Sequence, residues 1–172
     1  MIIDKTFFIG EIAIAGIENT LDGAPLNLDY FIEKYEPEFL HELLGEDLFN
    51  DFKAGLLIAP IPSKWTDLKA RLEKAFGTNF PKDHCPIAKF VYHQYWIDKV
   101  TQASPIGEVV ANSENSIRVS SDVRLVTVWN SMVDDNYEIA RWLTSYPEIY
   151  SYEWQLNNWH KTIFKKKNRF NL

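Results

Sequence analysis

The 172-residue chain is 46% hydrophobic and 15% aromatic with six tryptophans, a balance that excludes intrinsic disorder and suits one domain burying about 70% of its unfolded surface. Its lone cysteine, Cys85, excludes an internal disulfide, and apolar stretches such as "AGLLIAPIP" are cut by Pro60 and Pro62, well short of the ~20 residues of a membrane helix. The start "MIIDKTFFIGEIAIAG" carries Asp4 and Glu11 where a signal peptide needs basic residues, so the expectation is a soluble protein that stays in the cell that makes it.

In chain order, alternation in "TFFIGEIAIAG" predicts a short extended segment, and "NTLDGAPLN" a turn-rich connection. Asn27 is placed to cap a helix whose apolar residues Leu28, Phe31, Ile32 and Tyr35 fall at helical spacing. Pro37 is expected to interrupt it and to open a new helix carrying Phe39, Leu40, Leu43 and Leu44. That helix holds His41-Glu42-Leu43-Leu44-Gly45, which begins like the zinc-protease motif H-E-x-x-H but has glycine at the second ligand position. Gly45 is expected there because the helix ends in a left-handed residue, which leaves His41 on a surface. A third helix over Glu46–Ala54 turns Leu48, Phe49 and Phe52 inward and closes at Gly55.

After the loop "IAPIP", Ser63 is expected to cap a helix bearing Trp65, Leu68, Leu72, Ala75 and Phe76 and ending at Gly77. Pro86 opens "PIAKFVYHQYWIDKVTQA", apolar or aromatic on so many sides that it reads as a central or shared helix. Residues 106–119, "IGEVVANSENSIRV", predict a β-hairpin with Val109-Val110 and Ile117/Val119 flanking a polar turn. A long helix from Asp122 follows, bent and solvated near Asp134-Asp135-Asn136 and ending before Pro147. The last stretch keeps seven aromatics (Tyr146, Tyr150, Tyr152, Trp154, Trp159, Phe164, Phe170) among basic residues without one period. Rings in such a segment are expected to meet a partner surface. The chain therefore reads as mainly α, a bundle of five or six helices over 1–145 with an inserted hairpin, followed by an extended aromatic and basic tail over 146–172.

Charge is divided along the chain. Residues 1–56 hold twelve acids against three lysines, whereas Lys161, Lys165, Lys166, Lys167 and Arg169 stand in the last twelve residues without an acidic side chain. Such opposed ends suit a head-to-tail contact between copies or a docking tail, or equally a solvated acidic face beside a frayed basic end. The acidic body opposes sequence-specific DNA binding and leaves only salt-sensitive tail contacts.

Catalytic motifs are sparse. His84 and Cys85 with His93 offer zinc-ligand and nucleophile-base residue types, the basis of an alternative reading as a metal- or thiol-dependent enzyme. A third reading is a cytoplasmic regulator that docks a partner through its tail. No phosphate loop, dinucleotide fingerprint or nucleophile elbow is present.

The run "FIEKYEPEFLHELLGEDLFNDFKAGL", followed by a Trp-led helix, "YHQYW", "VVANSENSIRV", "VWNSMV" and a closing "NRF", resembles the head-to-tail connector (neck ring) proteins of tailed bacteriophages, most of all those of crAss-like and related Bacteroides phages and prophages. The resemblance implies a structural virion protein without catalytic residues, cofactor or metal. It implies a ring of about twelve copies below the portal protein, linking capsid to tail and lining the channel for passing DNA. On this sequence it makes Trp154, Trp159, Phe164, Lys165, Lys166, Lys167, Arg169 and Phe170 the candidate docking residues toward portal and neighbouring neck proteins. The 106–119 hairpin becomes a lumen-facing or inter-subunit element. The aromatic tail is longer than in the simplest such adaptors.

Overall fold

The computed structural model describes residues 1–14, 28–73, 84–104, 107–110, 121–150 and 164–168. The chain is mainly helical, with six α-helices among the described residues: α1 (Leu28–Leu44), α2 (Glu46–Gly55), α3 (Ser63–Leu72), α4 (Pro86–Val100), α5 (Ser121–Thr144) and α6 (Pro147–Tyr150). No helix among the described residues is long and apolar enough to cross a membrane.

The first correction concerns α1. Sequence reasoning breaks the helix at Pro37, yet one 17-residue helix runs through it. Leu28, Phe31, Ile32, Tyr35, Phe39, Leu40, Leu43 and Leu44 are all buried and keep a single 3–4 spacing across the proline, so breaking the helix would rotate half the stripe out of the core. Pro37 and Glu33, whose carbonyl loses its partner, both lie on the exposed side, where water can serve that carbonyl. Glu36, the residue that proline strains, is held by its own bonds: its buried carboxylate accepts from the amide of Ile2 at 2.8 and 2.9 Å and of Ile3 at 3.0 Å. The expected cap, Asn27, lies outside the described residues.

Those bonds also anchor the N-terminal segment, which is not the extended strand its alternation suggests. It forms two 3₁₀ turns, Lys5–Phe7 and Gly10–Ile12. Asp4 accepts from the Thr6 amide at 2.7 Å to start the first, and Gly10 takes φ 58° to start the second. Adjacent pairs Ile2/Ile3 and Phe7/Phe8 are buried together, a pattern of turns rather than of a pleat.

Gly45 joins α1 to α2 in one residue. Its φ of +77° is closed to most side chains, although a Cβ there would meet nothing within 4 Å, so the glycine is needed for its backbone alone. Gly55 is needed for space instead: a Cβ would lie 1.9 Å from Trp65 Nε1. Trp65 is buried there against Phe52 and Tyr150. At the start of α3 the cap is Pro62, whose carbonyl accepts from Trp65 and Thr66 amides, and Ser63 is the first helical residue, not the cap. The continuation expected through Ala75, Phe76 and Gly77 lies outside the described residues.

Helix α4 is the central helix its composition predicts, packed between α1 and α5, with Ile87, Ala88, Phe90, Val91, Tyr92 and Tyr95 buried. It stops at Val100, before the expected end at Ala103. An antiparallel pair follows, β1 (Thr101–Ser104) against β2 (Gly107–Val110), with Thr101 opposite Val110. The hairpin predicted over 106–119 shares only β2 with this pair, and its second arm at Ile117 and Val119 lies outside the described residues. Helix α5 runs without a break through Asp134–Asn136. There Asp135 and Asn136 are buried, which corrects the expected solvated bend.

Candidate functional site

Of the candidate docking residues, Trp154, Trp159, Arg169 and Phe170 lie outside the described residues. Phe164, expected to face a partner, is instead fully buried in the chain's own core, its ring 5.2 Å from that of Phe39 on α1 and 5.9 Å from Phe90 on α4. The next three residues are tied along α5. Trp129 Nε1 donates to the Lys165 carbonyl at 2.6 Å. Asn130 accepts from the Lys167 amide at 2.8 Å and donates to its carbonyl at 2.9 Å. The Lys165 side chain is exposed, whereas Lys166, also exposed, pairs with Asp134 at 2.7 Å. Lys167 is half-buried, its Nζ 3.3 Å from His93 Nε2 and 4.2 Å from the centre of the Trp129 ring.

Burial, and then the Lys167 charge, push His93 down to about 3 from its ordinary 6.5, and burial lowers Lys167 as well. Neutral His93 can therefore accept from the Lys167 ammonium through Nε2. Because the unfolded chain takes up this proton first, its share of stability is whole above pH 6.5 and declines as pH falls toward 3. Urea unfolding from pH 7 to pH 5 is expected to show that decline, reduced in His93→Phe. An identical slope in the variant would remove His93 as its source.

The metal or thiol alternative meets a different geometry. Cys85 is buried, its Sγ donates to the Leu72 carbonyl at 3.6 Å, and burial pushes the thiol up to about 12, so it stays protonated and packs as a small apolar group. His84 is exposed. His93 lies two turns further along α4, roughly 12 Å by helical rise. Among the described residues no three His, Cys, Asp or Glu side chains are grouped to hold a metal ion. Asp134 and Asp135 diverge likewise: the first meets exposed Lys166, the second buried Lys89 at 2.7 Å, which also donates to Ser131 at 2.9 Å.

Among the described residues, one exposed stretch is apolar throughout. In the loop after α2, Leu57 is 84% exposed, Ile58 53% and Ile61 44%. Sequence reasoning placed this stretch in a loop and used it to exclude a membrane span, without reading its aliphatic side chains as exposed. The signal for exposure was there in its two prolines, which deny it the regular spacing that would turn one side inward. Nearby, α3, α5 and α6 enclose a cleft of about 380 Å³ lined by Asp67, Ala70, Arg71, Trp142, Tyr146, Ile149 and Tyr150. Tyr150 donates from its hydroxyl to the Lys64 carbonyl at 3.0 Å and packs on Trp142 at 5.0 Å. The Arg71 guanidinium lies 4.9 Å from the Trp142 ring, and the rims of Tyr146 and Ile149 are exposed. Exposed apolar loops and aromatic clefts are surfaces of the kind that protein interfaces use.

No protein-family model matches the chain, and comparison with curated proteins and with solved structures finds no significant match.

Proposed function

We propose that this protein is a structural assembly subunit, a head-to-tail connector that forms a ring below the portal of a tailed bacteriophage and resides in the neck of the virion. The observation that carries the assembly part is the loop that holds Leu57, Ile58 and Ile61 in water, a surface that neighbouring subunits would cover. The phage setting rests on the sequence resemblance. Exposed acids on α1 and α2 (Glu33, Glu38, Glu42, Glu46, Asp47, Asp51) suit a conduit that passes DNA without gripping it. In this reading the 106–119 segment faces the lumen or a neighbouring subunit. On either side of the stretch anchored at Phe164, the tail would offer Trp154, Trp159, Arg169 and Phe170 to portal or neck partners, with exposed Lys165 adding basic charge while Lys166 and Lys167 are held by Asp134 and Asn130.

The test is the native mass by light scattering behind a sizing column, in low and moderate salt, with and without the portal protein. The expected particle is a closed oligomer of many copies that weakens as salt rises. A single chain under every one of these conditions would sink the proposal.

A further inference from the structure

We propose that His93 and Lys167 form an acid-operated latch on the segment 164–168, closed while the imidazole is neutral and released beyond Phe164 when it takes a proton. The inference stands apart from the assembly reading, since it rests on contacts within one chain. Past the buried Phe164 ring, the segment is tied to α5 by the Trp129 and Asn130 bonds and by the pair of Lys166 with Asp134. It meets α4 through Lys167 against His93.

The closed latch has room for one positive charge. His93 is 1% exposed, and its Nε2 can accept from Lys167 only in the neutral form, with the ring proton on Nδ1. A second proton would turn Nε2 into a donor facing an ammonium at 3.3 Å. It would also charge Nδ1, which is buried without a hydrogen-bond partner. Among the described residues the neighbouring acids are committed elsewhere. On α5, Asp134 pairs with Lys166 and Asp135 with Lys89, which lies one turn back on α4; on α1, Glu36 accepts from Ile2 and Ile3. Trp129 covers the imidazole from α5, with ring centres 4.4 Å apart, and gives its own face to Lys167. Lys167 is half-buried and Lys165, Lys166 and Asn168 are exposed, so the segment can withdraw into water without disturbing the core. The open form takes the proton near the ordinary 6.5, whereas the closed form resists it down to about 3. Each pH unit lost in that window therefore shifts the balance toward the open form by up to about tenfold.

Nuclear magnetic resonance of the isotope-labelled full chain tests it. Two signals report the closed segment directly, the Trp129 indole N–H bonded to the Lys165 carbonyl and the Asn130 amide bonded to that of Lys167. Both are expected to move to unbonded positions between pH 6.5 and about 3, in step with the His93 ring protons and with unchanged far-ultraviolet circular dichroism. In His93→Gln, which keeps an acceptor and gains no charge, they are expected to hold their neutral-pH positions. Asp134→Asn, which removes the other acid-sensitive tie of the segment, is expected to leave a transition in place. A transition that survives in His93→Gln, or vanishes in Asp134→Asn, would overturn the latch. So would His93 protons that titrate with a different midpoint from the two reporters, a comparison that needs no variant to fold. Signals that hold until the circular dichroism collapses would overturn it as well, because the segment would then leave only with the whole fold.

Discussion

Phe164→Ala is expected to cost about 3–5 kcal/mol, the range for removing a fully buried phenylalanine. The ring has no exposure and fills the space between Phe39 and Phe90, so truncation leaves a cavity where α1, α4 and the C-terminal segment meet. The loss should spread, because that ring precedes the backbone bonds to Trp129 and Asn130. Lys165→Ala, by contrast, removes an exposed side chain while keeping the carbonyl that Trp129 uses, and is expected to change stability by less than about 0.5 kcal/mol. Urea midpoints for the two variants check this. Equal stabilities for Phe164→Ala and wild type would mean that the ring serves an external partner and not the core.

Asp135→Ala is expected to be as damaging, about 3–5 kcal/mol, since it strands the Lys89 ammonium in the interior. Lys89 and Asp135 side chains are only 2% and 8% exposed and lie 2.7 Å apart; Ser131 alone, at 2.9 Å, cannot replace the lost charge. The double replacement Lys89→Met, Asp135→Leu removes both charges together and should recover most of the stability, because the desolvation cost of the pair disappears with it. Thermal and urea unfolding of the single and double variants form the check. A single variant within about 1 kcal/mol of wild type would show that water reaches the Lys89 head group.

Those two sites mark the limit of what the sequence discloses. The stripe of α1, the one-residue junction at Gly45 and the all-round coverage of α4 are local patterns, and each was legible from spacing. Pro37 misled because the rule against proline concerns one amide, whereas the stripe in phase on both sides concerns eight buried side chains. Lys89 and Asp135 are 46 residues apart, and nothing in either neighbourhood says that each buries its charge only because the other does. Phe164 stands in an aperiodic basic run, so its depth depends on a cavity made by distant helices. The exposed loop at Leu57, Ile58 and Ile61 was hidden for the opposite reason. Apolar residues are read as core by default, and only the packed structure shows which ones the core has left out.

The meeting of Phe39, Phe90 and Phe164 also sets an order of events. Phe39 and Phe164 are separated by 125 positions of sequence, so this contact is among the last that a growing chain can make, and loops of that length close slowly. Helices α1 to α4 emerge first and must wait with the seat for that ring unfilled. Synthesis past residue 164 thus acts as a timer, and a chain cut short before it lacks the ring that meets both α1 and α4. Completion of the core is in this way tied to the position of one aromatic ring: only a chain made through residue 164 can fill the seat between Phe39 and Phe90.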